Sequence, residues 1–395
     1  MRDWRTDPAF AMCRALVDGA DPASFAGGAF DVRALVAGIL SGARSGLLLD
    51  AAPWGNFPHG DEVRKAVHLL RIGDDLARCA MDVLGGLCAN DSRAAAALAV
   101  PFLIPIATDA QRPHRAAVLA VLSGPARARH FGVASRDGLL LHRTDPRRHA
   151  SDGYDDYGVE VTGYPAGWSV AAARAAITAE APALLPLLND PAPAVRITAA
   201  YALATAADLD HTVRTALAAR FAAEHDAMVR AALLLAAAEI TRAHAHPPTV
   251  RWLRERWQDR TEAPEVRLAA TVGWLCLTVQ PAPEDLHQTI DTLATDERAH
   301  ALDALPWMNA AAGSGEPGLR RCIRCMLTAR SPSRRTTPGS SRLERPASAP
   351  LGHRSRHCGL VGSARSTDES RHRHAGRTRC RRSRKPAAEH LPGRR

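Results

Sequence analysis

Apolar positions fall into the same helical register three times along this chain. PAVRITAAYALA around Arg196, AMVRAALLLAAA around Arg230 and PEVRLAATVGWL around Arg267 each contain Val-Arg followed by apolar residues at fixed offsets. At helical periodicity those offsets put Val195, Ala199, Leu203 and Ala206 on one face. They do the same for Val229, Leu233, Ala237 and Ile240, and for Val266, Ala270, Trp274 and Leu277. The three arginines are 34 and 37 residues apart. A repeat of that length with helical periodicity inside it predicts an all-α chain, an α-solenoid of stacked antiparallel helix pairs.

Val-Arg pairs recur at 32–33, 63–64, 195–196, 213–214, 229–230, 250–251 and 266–267. From 195 onward their spacing equals one helix of ~11–12 residues plus a short connection, so the pairs mark alternate A and B helices. Acidic residues stand in the turns before several B-helix arginines. Asp190 precedes Arg196 and Asp109 precedes Arg115; Glu224 and Asp226 precede Arg230, and Glu262 and Glu265 precede Arg267. An acid in such a turn caps the next helix and accepts a bond from an adjacent arginine. Asp109, Arg115, Asp190, Arg196, Arg230 and Arg267 are therefore expected to form a structural ladder that stitches one repeat to the next. A charged binding strip is the alternative.

The best repeat, LLPLLNDPAPAVRITAAYALATAAD at 184–208, resembles HEAT repeats of the short bacterial kind. The likeness continues through 209–243 and 248–279 and weakens over 284–311. Upstream, AVPFLIPIATDAQRPHRAAVLAVLSG at 99–124 reads as a further hairpin, with a buried helix and a turn at its two prolines. The segment WGNFPHG at 54–60 also looks like part of uncharacterised HEAT-repeat proteins of high-GC bacteria. That likeness implies no known function; stacked repeats offer area rather than a preorganised pocket, so the expected role is a non-catalytic scaffold that binds another protein along an extended concave face. The resemblance also brings two other classes into view. HEAT-like DNA glycosylases use aromatic, Arg and Asp residues on a concave surface, and bilin lyases are built of similar repeats.

Composition divides the chain. Residues 313–395 hold 21 basic and 5 acidic residues, while the rest holds 30 basic and 36 acidic, a body of about −6 within a chain of +10. The boundaries expected are a helical-repeat domain over 1–312, with a loop insert at about 126–167, and a basic disordered tail over 313–395. The tail has no Phe, Tyr or Trp and too little apolar surface to offset ordering. It reads either as a nucleic-acid-binding arm or as GC-rich coding DNA translated out of frame, since the chain has 49 Arg and 2 Lys. The N-terminus lacks a signal-peptide pattern, and the most apolar window, 94–107, is too short to cross a membrane. The scattered cysteines Cys13, Cys79, Cys88 and Cys276 fit a reduced, cytoplasmic setting.

Candidate chemistry is sparse. Cys322-x2-Cys325 and His353-x3-His357 have zinc-finger outer spacings, but 27 residues separate the pairs against about 12 in the familiar finger. Neither a metal nor a cofactor is expected. No G-x-S-x-G, Walker loop or H-E-x-x-H is present. The insert presents Tyr154, Asp155, Tyr157 and Glu160, either a recognition loop or a solvated acidic one. RWLRERWQDR at 251–260 combines Trp252 and Trp257 with four arginines, a composition suited to bases and phosphates or to a packing seam. The partner contacts expected are Trp54, Tyr154, Asp155, Tyr157, Trp168, Trp252 and Trp257.

Overall fold

The computed structural model describes residues 6–41, 49–73, 76–90, 93–127, 160, 162–242, 246–278, 280–312 and 315–327. They belong to one compact unit, Met1–Ala329, and among them the secondary structure is helical, with no β-strand. The helices run α1 (Ala11–Val17), α2 (Val32–Ser41), α3 (Gly60–Ile72), α4 (Ala77–Asn90), α5 (Arg93–Thr108) and α6 (Arg115–Ser123). After the insert come α7 (Ala166–Ala179), α8 (Ala181–Leu184), α9 (Pro193–Leu203), α10 (Asp210–Ala223) and α11 (Ala227–Arg242). The series ends with α12 (Pro247–Gln258), α13 (Pro264–Leu277), α14 (Glu284–Leu293), α15 (Asp296–Leu302), α16 (Pro306–Ala311) and α17 (Gly318–Leu327).

Local chemistry sets these boundaries. Proline stands in the first turn of α9, α12, α13 and α16, where its missing N–H costs no helical bond. Asp226 caps α11 by accepting the N–H groups of Met228 and Val229, and Thr295 caps α15 through the Arg298 N–H. Helix α5 differs from the expected helix and turn. It runs unbroken through Pro101 and Pro105. It packs against α2, α3, α4, α6 and α7, and almost every residue from Ala94 to Ala107 is buried. Contacts on so many sides outweigh the lost backbone bonds.

The register read from the apolar pattern lies inside. Val195, Ala199, Leu203, Val229, Leu233, Ala237, Ile240, Val266, Ala270, Trp274 and Leu277 are all buried. Helix α6 packs on α9, α9 on α11, and α11 on α13, while α5, α10 and α12 each pack on the helix that follows them. Burial goes further than a single apolar face. From Ala231 to Arg242 every residue of α11 is buried, as is every residue of α13 from Leu268 to Leu277. Gly273 allows this closeness: a Cβ there would stand 3.1 Å from the Ala238 methyl and 3.3 Å from Leu253.

Two departures from a simple series matter. Helix α7 packs on α2 and α5 and leaves α6 to meet α9 directly. At the other end, α16 reaches back to α9, and α17 packs on α13, α15 and α16. Leu319, Cys322 and Met326 of α17 are buried. Helix α17 therefore corrects the boundary expected at 313: residues 318–327 belong to the folded unit. Residues 328–395 and most of the insert lie outside the described residues. No single helix among the described residues is long and apolar enough to cross a membrane.

Candidate functional site

Four of the ladder residues, Arg115, Asp190, Arg196 and Arg230, make ion pairs that join a helix to the turn before a later one. Arg115, at the start of α6, pairs with Asp190 in the turn before α9 at 2.7 Å. Arg196 of α9 reaches Glu224, before α11, at 2.8 Å. Arg230 of α11 grips Glu262, before α13, with both terminal nitrogens, at 2.6 and 2.9 Å. Each arginine thus takes its carboxylate from the next unit. This corrects the pairing of Asp109 with Arg115. Asp109 instead accepts the Gln111 N–H and faces Arg112 at 3.4 Å, because Arg115 points across the seam to Asp190. Arg196 takes the carbonyls of Asp190 and Pro191 rather than the Asp190 carboxylate.

Glu224 and Asp190 are held ionised. Burial works against the Glu224 carboxylate, but the N–H groups of Asp226 and His225 and the guanidinia of Arg220 and Arg196 outweigh it. Together they bring the group down to about 2. Asp190 is likewise below its ordinary value. Desolvation opposes ionisation there, and Arg115 and the Ala192 N–H overcome it.

The series changes at α13. Arg267 donates through Nε to the Trp257 carbonyl at 3.0 Å and has no ion pair among the described residues. The turn in which its acid would stand is Ala294–Thr295, which has no carboxylate. A cleft of about 580 Å³ opens beside it, lined by Trp257, Gln258, Arg260, Arg267, Asp285, Gln288, Thr289, Thr292 and Leu293. Desolvation and the neighbouring Arg260 lower the Arg267 pKa, with Asp259 acting the other way. Asp285 is engaged by Gln258 at 2.8 Å. Trp257 is fully buried, and its indole N–H has no hydrogen-bond partner among the described residues.

The tryptophans expected at a partner surface divide. Trp54 and Trp257 are interior, which corrects their assignment as contacts. Trp54 donates to the Leu49 carbonyl at 2.7 Å and packs on Phe102, so WGNFPHG is a turn anchored by an aromatic. His59 there adopts φ 57°, and a Cβ on Gly60 would run into the Trp54 backbone. Trp257 packs edge-on against Trp274. Trp168 and Trp252 stay half-buried. Arg33 lies 3.7 Å over the Trp168 ring, and Trp252 meets Phe221 edge-on at 5.1 Å. Trp252 and Trp257 therefore form no stacking platform for bases. Tyr154, Asp155 and Tyr157 lie outside the described residues.

Sequence reasoning missed two buried polar clusters. In the first, Arg127 makes two bonds to Glu239 at 2.8 Å, lies 3.5 Å over the Tyr201 ring and donates to the carbonyls of Ser123 and Tyr201. Trp307 of α16 donates to the same carboxylate at 2.7 Å and packs edge-on against Tyr201. In the second, buried Glu160 accepts from Ser169, while its other oxygen has no hydrogen-bond partner among the described residues. Burial pushes Glu160 up to about 7, against opposing contributions from Ser169 and from Arg93 and Ala94 at the head of α5. The nearby Cys13 thiol is pushed up to about 11 by burial and by Glu160, so it stays protonated and a poor nucleophile at neutral pH. Among the described residues no group of three or more His, Cys, Asp and Glu side chains is placed to hold a metal. Cys322 is buried and its thiol raised to about 12, first by desolvation.

No family model, curated protein or solved structure matches the chain.

Proposed function

We propose that the chain is a non-catalytic protein-binding scaffold, an α-solenoid of HEAT-like helix pairs. The observation that carries this reading is the arginine–carboxylate series from Arg115 to Glu262. It ties α6 to the turn before α9, α9 to the turn before α11 and α11 to the turn before α13, helices that also pack on one another in that order. Such an arrangement fixes neighbours to neighbours and leaves outward helix faces as recognition area. The buried tryptophans and the net acidic body count against the nucleic-acid alternative, and nothing specific favours a bilin-lyase-like activity.

The test is photo-crosslinking in the source cells. A benzophenone amino acid replaces, one at a time, the exposed residues Ala219 of α10, Arg254 of α12 and Asp291 of α14. A scaffold gives adducts with one and the same protein from positions on more than one helix. Adducts with nucleic acid alone, or none with protein at any position, refute the reading.

A further inference from the structure

We infer that the cleft between α12, α13 and α14 is a receptor for a carboxylate-bearing segment of the partner protein, held by Arg267 and Arg260. The inference rests on the scaffold reading above and names the chemistry that one site of the scaffold recognises.

The internal contacts supply the argument. Three arginines each seat a carboxylate from the turn before a later helix, Asp190, Glu224 and Glu262, and Arg196 and Arg230 do so from the fourth residue of their helices. The arrangement around Arg230 is the closest precedent, because a second arginine, Arg256, joins it on Glu262 at 2.9 Å. At α13 the same position is Arg267, and Arg260 is close enough to act on its titration. The two cations are in place and the internal acid is absent, since Ala294 and Thr295 occupy the turn. Space is present as well, in the cleft that Arg267 and Arg260 both line. Asp285 is the carboxylate lining that cleft, where Gln258 engages it, and Asp259 acts on Arg267 from outside the lining. The buried indole N–H of Trp257, which also lines the cleft, is a donor without an acceptor among the described residues. A planar guanidinium matches a carboxylate with two parallel bonds, and the earlier units carry out that recognition on carboxylates. A glutamate or aspartate side chain presented by another protein would continue the series by one unit.

Fluorescence anisotropy of the full chain with a labelled hexaglutamate peptide at low salt tests this, with hexaglutamine as the uncharged control. The wild type is expected to bind hexaglutamate and not hexaglutamine. Arg267→Gln and Arg260→Gln should each weaken binding by ~10-fold or more, as loss of a charge-assisted pair does. Arg254→Gln, an exposed arginine of α12 that does not line the cleft, should change it by no more than about two-fold. Among the described residues the Arg260 side chain makes no hydrogen bond or ion pair, so Arg260→Gln should melt like the wild type, which separates lost binding from lost folding.

No binding by the wild type, or binding indifferent to both cleft substitutions, overturns the assignment. So does displacement of the peptide by inorganic phosphate at lower concentration than by glutarate, which would make the ligand a phosphoryl group. Duplex DNA retained through the same arginines while hexaglutamate fails would also overturn it. Protein crosslinks from α10 and α14 together with no peptide binding sink only this site. Peptide binding with no protein crosslink at any position sinks the scaffold and, with it, the protein ligand.

Discussion

Replacing Glu239 by alanine leaves a guanidinium buried without its counter-charge. The Arg127 side chain is 1% exposed and that of Glu239 is 5% exposed. Burial alone favours a neutral acid at Glu239. Arg127, through its charge and its hydrogen bonds, together with Arg242 and Trp307, reverses that and holds the carboxyl below its ordinary value. Removing one partner of such a pair costs about 3–5 kcal/mol, because the survivor keeps its desolvation penalty. For about 300 ordered residues the unfolding entropy is roughly 0.6 kcal/mol per degree, so Glu239→Ala should lower the melting temperature by about 5–8 °C. Thermal melting of the full chain followed by circular dichroism reads this directly. The companion double variant Arg127→Met with Glu239→Leu removes both charges and keeps apolar volume, and it should recover most of the loss. Trp307→Phe, which removes one hydrogen bond to a charged group, should cost about 1.5–3 kcal/mol. The reasoning fails if Glu239→Ala stays within about 1 kcal/mol of the wild type. It fails equally if the double variant melts no higher than the single one.

Glu224 and Glu160 should bend the pH dependence of stability in opposite directions. The folded Glu224 carboxyl lies at about 2 against 4.5, so its contribution is complete above pH 4.5 and is lost as pH falls from there towards 2. That contribution is about 3 kcal/mol, and Glu224→Gln should flatten the acid limb of a urea-melt series. The folded Glu160 carboxyl lies at about 7, so its contribution is complete below pH 4.5 and is lost as pH rises from there to about 7. Glu160→Gln should remove that decline, and an unchanged slope between those values would contradict the burial described. At Gly318 any Cβ would run into the backbone of Met308, so Gly318→Ala should displace α17 at a cost of about 1–3 kcal/mol. The readout is faster thiol labelling of Cys322, buried in the wild type, followed by peptide mass spectrometry. Labelling of wild-type Cys322 at the rate of an unfolded chain would refute the placement of α17.

Much of the interior was legible because helical periodicity reports burial directly. Val195, Val229 and Val266 and their followers are inside as the register requires. The pairing of the ladder was legible by residue type only. A recurring Arg and a recurring acid show that a contact exists, but not whether the partner belongs to the same unit or the next. The Arg127 cluster left no local trace, because Arg127, Glu239 and Trp307 come from three distant segments joined only by tertiary packing. Trp257 was misread because an arginine-rich neighbourhood looks exposed, although arginine stems cover apolar neighbours readily. Helix α17 was hidden by composition. Its arginines masked an apolar stripe at Leu319, Cys322 and Met326 that the three-to-four spacing alone would have exposed. The cleft had one available sign, the absence of an acid before α15 where each earlier turn carries one.

The contact from α6 to α9 bears on the order of assembly. Arg115 and Asp190 are 75 residues apart in sequence, whereas Arg196–Glu224 spans 28 and Arg230–Glu262 spans 32. Closing the longer span costs about 0.8 kcal/mol more chain entropy than a thirty-residue one. On that ground helices α9 to α13 are expected to close from one neighbour to the next, with α6 joining across a longer excursion. The joint between α6 and α9 should be the last to close during folding and the first to part under strain.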